Sequence, residues 1–259
     1  MGLVEIEDRG AVRHIVMNRP EKRNALNGEL IQALGEAFEA AAADDDVRVV
    51  VVRGEGPMFS SGMDLGSLRD LSTNPGALRE FRDPILRWWN LLEEMPKPTI
   101  AQIHGACIGG AMELALAADM RVMADDAVAA ILEVKIGLIP DVGGCSRLPA
   151  VVGLGRAKEL IMTGRFINGT EAHAIGFANR VAPAAELEAA TQALCDELLG
   201  AAPIAVALAK RVLDRVAKPA LEETLELEVE AQERLAASDD FAEGTSAFLG
   251  KRAPAFAGK

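Results

Sequence analysis

Tyrosine is missing from this 259-residue chain, and its only other aromatics are eight phenylalanines and two tryptophans. The interior must therefore be packed with Ala, Val, Leu and Ile. Cysteine is almost as scarce. Cys107, Cys145 and Cys195 are odd in number and lack metal-ligand spacing, which argues against a disulfide scaffold and for a reduced, cytoplasmic protein. His14, His104 and His173 are scattered without ligand spacing, so no metal is expected. Positive charge is short as well: 27 Lys+Arg against 39 Asp+Glu leave a net charge of −12. That disfavours a nucleic-acid surface but leaves room for a small anionic ligand at a local basic cluster. No uncharged apolar run approaches the ~20 residues needed to span a bilayer. The start, Met1 to Glu5, shows no basic stretch ahead of an apolar one, and Ile6 stands where a myristoylation motif needs Ser or Thr. Neither a signal peptide nor a membrane partner is expected.

Half of the residues are apolar, enough for one large α/β domain with a helical appendage. Residues 3–8 and 11–17 alternate as a hairpin around Arg9-Gly10. Asn27 is a good N-cap for a helix over 28–43, closed by Asp44-Asp45-Asp46. Val47 to Val52 is nearly continuous in β-branched residues, the mark of a parallel strand covered on both faces. Residues 66–76 are polar, with Gly and Pro, and suggest a mobile segment. A helix over 77–95 is stopped by Pro96 and Pro98, and strands follow at 99–103, 120–124, 128–132 and 179–182. Ile136 to Gly144 reads as a loop, and Ser146 to Val151 leads toward a helix at 155–163. Strands alternating with helices indicate parallel βαβ units. After residue 184 the pattern is only helical, at 184–199, 203–216, 219–237 and 239–249. The expected division is an α/β core over 1–183 and a helical region over 184–259.

Two glycine-bearing segments carry the chemistry: Phe59-Ser60-Ser61-Gly62-Met63-Asp64-Leu65 and Ile108-Gly109-Gly110-Ala111-Met112-Glu113-Leu114. Each follows a strand-like run and leads into a helical pattern. Such turns leave backbone N–H groups free, and two of them facing one point would form an oxyanion hole made of main chain. Glu113 lies three residues beyond Gly110, about one helical turn away. Its apolar neighbours Ala111, Met112, Leu114 and Ala115 argue against an ordinary exposed carboxylate. Asp64 is better placed to cap the following helix than to act as an acid. Cys107 and Cys145 have no His partner at a motif distance, and Trp88 and Trp89 are expected to pack.

These segments resemble the crotonase superfamily, the enoyl-CoA hydratases and isomerases, over nearly the whole chain. The similarity also runs through Asn18-Arg19-Pro20, Lys22-Arg23-Asn24-Ala25-Leu26, Ala118-Asp119, Gly137-Leu138-Ile139-Pro140-Asp141-Val142-Gly143-Gly144, Arg147-Leu148-Pro149, and the tail Glu243-Gly244 with Ala247 to Arg252. The resemblance implies an α/β spiral of ββα units with a C-terminal helical region that forms a homotrimer or a dimer of trimers. It implies that the backbone N–H groups of Met63 and Gly110 bind the thioester oxygen of an acyl-CoA. It also implies that Arg23, Ala25, Ser61, Gly62, Asp64, Leu65 and Gly109 line the substrate channel. Coenzyme A is then part of the substrate, and no separate cofactor is required.

By the same resemblance, carboxylates of the site stand at three positions, filled here by Glu113, Glu133 and Asp141. Glu113 and Glu133 match the pair that hydratases use on the two sides of water addition. Glu133 and Asp141 match the pair that 3,5-2,4-dienoyl-CoA isomerases use to move a proton between distant carbons. Hydratases usually carry a small residue where Asp141 stands, whereas dienoyl isomerases often carry Asp where Glu113 stands. Hydration of a trans-2-enoyl-CoA ranks first by a narrow margin, with dienoyl isomerisation second. Without the family match, Glu133 before a loop could be a solvated acid and Asp141 after Pro140 a turn residue. A non-catalytic or RNA-binding member is disfavoured by the retained carboxylates and the acidic charge. A dehalogenase on the same scaffold is disfavoured by Glu133, where an aryl substrate would suit Trp.

Overall fold

The computed structural model describes residues 2–64, 66–67, 71 and 74–258. Leu65, much of the segment expected to be mobile, and most of the helical pattern expected after Gly62 lie outside the described residues. The expected hairpin forms, β1 (Val4–Arg9) pairing antiparallel with β2 (Val12–Met17). Asn27 accepts from the Leu30 N–H and so caps α1 (Gly28–Ala43), whose Leu30, Leu34, Phe38 and Ala41 face inward at helical spacing. From β2 onward the main sheet is parallel: β3 (Val49–Gly54), β4 (Thr99–Ile103), β6 (Met120–Ala124) and β9 (Arg180–Ala182) continue the order β1-β2-β3-β4-β6-β9. A second sheet is built from β5 (Ala106–Ile108), β7 (Val128–Ala130) and β8 (Ile167–Asn168). Val49 to Val52 are all buried, as their unbroken β-branched run required.

α2 (Leu78–Glu94) crosses α1 where Gly35 lies against the Trp88 indole; a Cβ there would sit 2.1 Å from the ring. Beyond β5 comes α3 (Gly110–Ala117), every residue of which is buried. The strand expected to reach residue 132 stops at Ala130, because Glu133–Ile136 turns into a 3₁₀ helix. Ser146 to Val151, expected to lead toward the helix at 155–163, belongs to a helix of its own, α4 (Gly144–Val152), ahead of α5 (Leu154–Thr163). The short elements β5, β8 and α6 (Gly169–Ala174) had no periodicity long enough to be seen in the sequence.

The C-terminal helices differ in what holds them. α7 (Leu187–Leu199) packs into the main core through Leu187, Leu194 and Cys195. α8 (Pro203–Ala217) buries no residue of its own. It is attached by charge, Lys210 pairing with Asp119 at 2.8 Å, while Lys218 just beyond it pairs with Glu93 and Asp214. α9 (Leu221–Ala236) packs against α4 and α2, and α10 (Asp239–Leu249) against the 3₁₀ helix Glu133–Ile136. There Val229, Ala236 and Phe241 form a second apolar cluster with Leu71, Leu78 and Leu138.

Candidate active site

Phe59 to Asp64 is stitched on both sides. The Ser60 N–H donates to Ala106 and its carbonyl accepts from Ile108, so the segment runs beside β5. The Leu26 N–H donates to Gly62 O, and Leu26 O accepts from the Asp64 N–H. Leu26 thus bonds both neighbours of Met63, which turns the Met63 N–H the other way. Asn24 locks this arrangement from below. Its Nδ2 reaches the carbonyls of Glu55, Met58 and Phe59, and its Oδ1 accepts from the Arg19 N–H.

The second glycine turn faces the first at backbone contact. Gly62 has φ +86° and a Cβ there would be 2.4 Å from Ile108 O, so the two segments approach this closely only with glycine at position 62. Gly110 opens α3, where the first-turn N–H groups have no partner within the helix. Among the described residues neither the Met63 nor the Gly110 N–H donates to a protein acceptor. The Met63 Sδ is 3.0 Å from the point where a Gly110 Cβ would lie. Two N–H groups therefore border one cavity of about 130 Å³, which Ser61, Gly62 and Gly109 also line.

All three expected carboxylates open onto that cavity. Glu113 is 2% exposed, and its Oε1 accepts from the N–H groups of Val142 (3.0 Å) and Gly144 (2.9 Å). Glu133 rises from its 3₁₀ helix against Gly109, and its Oε2 is buried with no partner among the described residues. Asp141 is tied back. Its Oδ1 accepts from Gln232 Nε2 at 3.2 Å, and its Oδ2 lies 3.6 Å from Arg82 Nε. Burial, the largest cause, pushes Glu133 and Asp141 up to about 7 and drives Glu113 well above the usual carboxylate range. For Glu113 the charges of Glu133, Asp141 and Glu228 add to the effect. Such close carboxylates titrate together, so the cluster retains protons near neutrality as a unit.

The remaining expected residues sit around this centre without entering it. Arg23 is an exposed left-handed residue at φ 56°, and Ala25 is buried with its carbonyl accepting from Arg19. Asp64 pairs with Arg19 at 2.8 Å and accepts from the Gly66 N–H, as a turn cap does. Arg82, Gln232, Glu228 and Arg147 were not anticipated as site residues. The buried Arg147 donates to Glu93, Asn90 and the Val142 carbonyl, bracing the loop on which Glu113 rests. Polar residues within the apolar stripe of α9 were the signal available for Glu228 and Gln232.

A cavity with two free main-chain donors and buried carboxylates can hold a carbonyl oxygen and move protons beside it. Known proteins point the same way. The family model described as Enoyl-CoA hydratase/isomerase matches residues 7–259. The chain is 39% identical over 253 residues to the human mitochondrial enoyl-CoA hydratase domain-containing protein 2, covering 96% of this chain and 86% of that protein. It is 34% identical over 258 residues to the peroxisomal Delta(3,5)-Delta(2,4)-dienoyl-CoA isomerase of Arabidopsis thaliana, covering 95% and 93%. The crystal structure of an enoyl-CoA hydratase from Mycobacterium avium subsp. paratuberculosis superposes with a TM-score of 0.86 at 29% identity, covering 99% of each chain. With the glycine turns, the carboxylates and the two-sheet core all in place, the chain belongs to the enoyl-CoA hydratase/isomerase family, with the crotonase fold.

Proposed function

We propose that the protein adds water to a trans-2-enoyl-CoA to give a 3-hydroxyacyl-CoA. The thioester oxygen lies between the N–H groups of Met63 and Gly110, where each donor contributes on the order of 3 kcal/mol to the enolate. Water sits between Glu113 and Glu133. One carboxylate takes a proton from the water as its oxygen bonds to the β-carbon, and the other carboxyl delivers a proton to the α-carbon. A pair that shares one proton contains both the base and the acid this requires.

The observation that carries this reading is the contrast among the three carboxylates. Glu133 keeps a buried oxygen with no protein partner among the described residues, while Asp141 has Gln232 on one oxygen and Arg82 beside the other. Asp141 then shapes the pocket rather than moving a proton. A second reading, 3,5-2,4-dienoyl-CoA isomerisation, draws support from Glu133 and Asp141 both being pushed to about 7 in the same cavity. Offering the purified protein 2-enoyl-, 3-enoyl- and 3,5-dienoyl-CoA separates the two. A mass gain of one water supports hydration. Solvent deuterium entering a rearranged product without hydration supports the isomerase.

The assembly we propose is a homotrimer or a dimer of trimers. α8 turns Ile204, Leu208, Val212, Leu213 and Val216 outward, with Ile204 76% and Val216 75% exposed. An apolar face of that kind suits a subunit contact. Sedimentation showing only monomer at micromolar concentration would refute this.

A further inference from the structure

Helix α9 reaches the site with a mixed face. Leu225, Glu228, Val229, Gln232 and Ala236 recur at helical spacing and are all buried, so two polar side chains lie on the stripe turned to the core. Both end on the loop that leads into α4. Gln232 Oε1 accepts from the Ile139 N–H at 3.0 Å. Because a peptide N–H only donates, this fixes the amide and leaves Nε2 facing Asp141. Glu228 Oε2 accepts from the Gly143 N–H at 2.9 Å, and its Oε1 accepts from both the N–H and the Oγ–H of Ser146 at 2.6 Å.

The N-terminus of α4 has no capping side chain of its own. Two carboxylates from elsewhere take its free N–H groups instead, in alternation along the chain: Glu113 on Val142 and Gly144, Glu228 on Gly143 and Ser146. Peptide planes in such a run are rigid and linked, so Gly143 cannot move without moving its neighbours. Space is tight as well: a Cβ on Gly144 would lie 2.9 Å from Glu113 Oε1 and 2.4 Å from the Pro140 ring. Glu228 does not line the cavity, so any part it has in the reaction is exerted through this backbone. We infer that Glu228 is a positioning residue that sets the place of Glu113 through the 142–146 backbone, so that α9 completes the catalytic site within one chain. This rests on the proposal that Glu113 transfers protons.

The ionisable groups whose charges act together with that of Glu228 are Glu113 from α3, Asp141 from the loop, and Cys145 and Arg147 from α4; Glu133 from its 3₁₀ helix acts in turn on Glu113 and Asp141, and Arg82 from α2 on Asp141. In Glu228→Gln an amide cannot accept at both ends, so either Gly143 or Ser146 meets an NH₂ group. Turnover of 2-enoyl-CoA by the folded protein should fall about 10²-fold in kcat, with KM near wild type. The acid limb of the pH–rate profile should move to lower pH, because Glu113 and Asp141 lose a negative neighbour. Glu228→Asp keeps the charge but shortens the reach. It should lose kcat while the limb stays in place, and it carries the test if the amide variant does not fold. A wild-type kcat in either variant overturns the inference. So does a loss that only follows the folded fraction, or one in Glu228→Gln with the limb unmoved. Glu113→Gln, measured alongside, tests the underlying proposal separately: a wild-type rate there refutes the role of Glu113, whereas a wild-type rate in the Glu228 variants refutes the role of α9.

Discussion

Gly109 holds Glu133 in place by being small, and Gly109→Ala turns that into a measurement. The residue has φ +55° and ψ −125°, a combination that L side chains rarely adopt. Backbone strain of this kind costs about 1–3 kcal/mol. In a chain of this size that corresponds to a Tm lower by about 2–12 °C. The new methyl would lie 2.7 Å from Glu133 Oε1, where ordinary contact begins at 3.4 Å, so the carboxylate must retreat by the difference of 0.7 Å. Displacement on that scale at a proton-transferring group costs up to about 10²-fold in rate. The nearest atoms to the new methyl are those of the Glu133 carboxylate, with no atom of Met63 among them, so acyl-CoA affinity should change less than kcat. Steady-state kinetics with 2-enoyl-CoA, beside a thermal melt, read both effects. A variant that is less stable yet keeps wild-type kcat would show that Glu133 does not need this position.

Three further expectations follow from the same geometry. Met63→Ala should keep much of its activity because only the main-chain N–H is used. Gly110→Val should lose orders of magnitude, since its branched side chain crowds Met63; equal losses in both, with folding intact, would contradict the oxyanion hole. Glu113→Gln and Glu133→Gln should each lower turnover by ~10²–10⁴-fold, without adding in the double variant, while Asp141→Asn stays mild; a severe loss in Asp141→Asn beside a mild one in Glu113→Gln would move the reaction to the isomerase, which needs Glu133 as well. His14, 2% exposed and with both ring nitrogens unpartnered among the described residues, is held near pKa 4 by burial and then by the charges of Arg9 and Arg53. Its folded pKa lies below its ordinary 6.5, so the unfolded chain takes up the proton first and stability is lost as pH falls from 6.5 through 4. The loss has a ceiling of about 3 kcal/mol. His14→Leu should flatten the pH dependence of Tm in that window, and an unchanged slope would refute the assignment.

The sequence was legible where a single segment contains its own instructions. The Val49–Val52 strand, the Asn27 cap and both glycine turns needed only nearest neighbours to be recognised, and the structure has them where they were expected. Glu113 was legible because a carboxylate inside a wholly apolar helix has to be explained. What could not be read is the pairing between distant segments. α4 lacks a cap in its own sequence because its caps come from α3 and α9, 31 and 82 residues away in the chain from the N–H groups they take. Its glycine pair therefore looked like a loop signal, although Gly143 and Gly144 are small so that Arg147 and Glu113 can approach the backbone. The helical region posed the opposite problem, because the resemblance implied one role, subunit contact, for the whole of it. Glu228 and Gln232 break that pattern. They sit on the apolar stripe of α9, where an unpaired polar group would cost about 1–3 kcal/mol, so partners had to exist. Those partners are the 139–146 backbone, which bears Asp141 and donates to Glu113, and α9 is thereby separated from α8, whose apolar residues face outward.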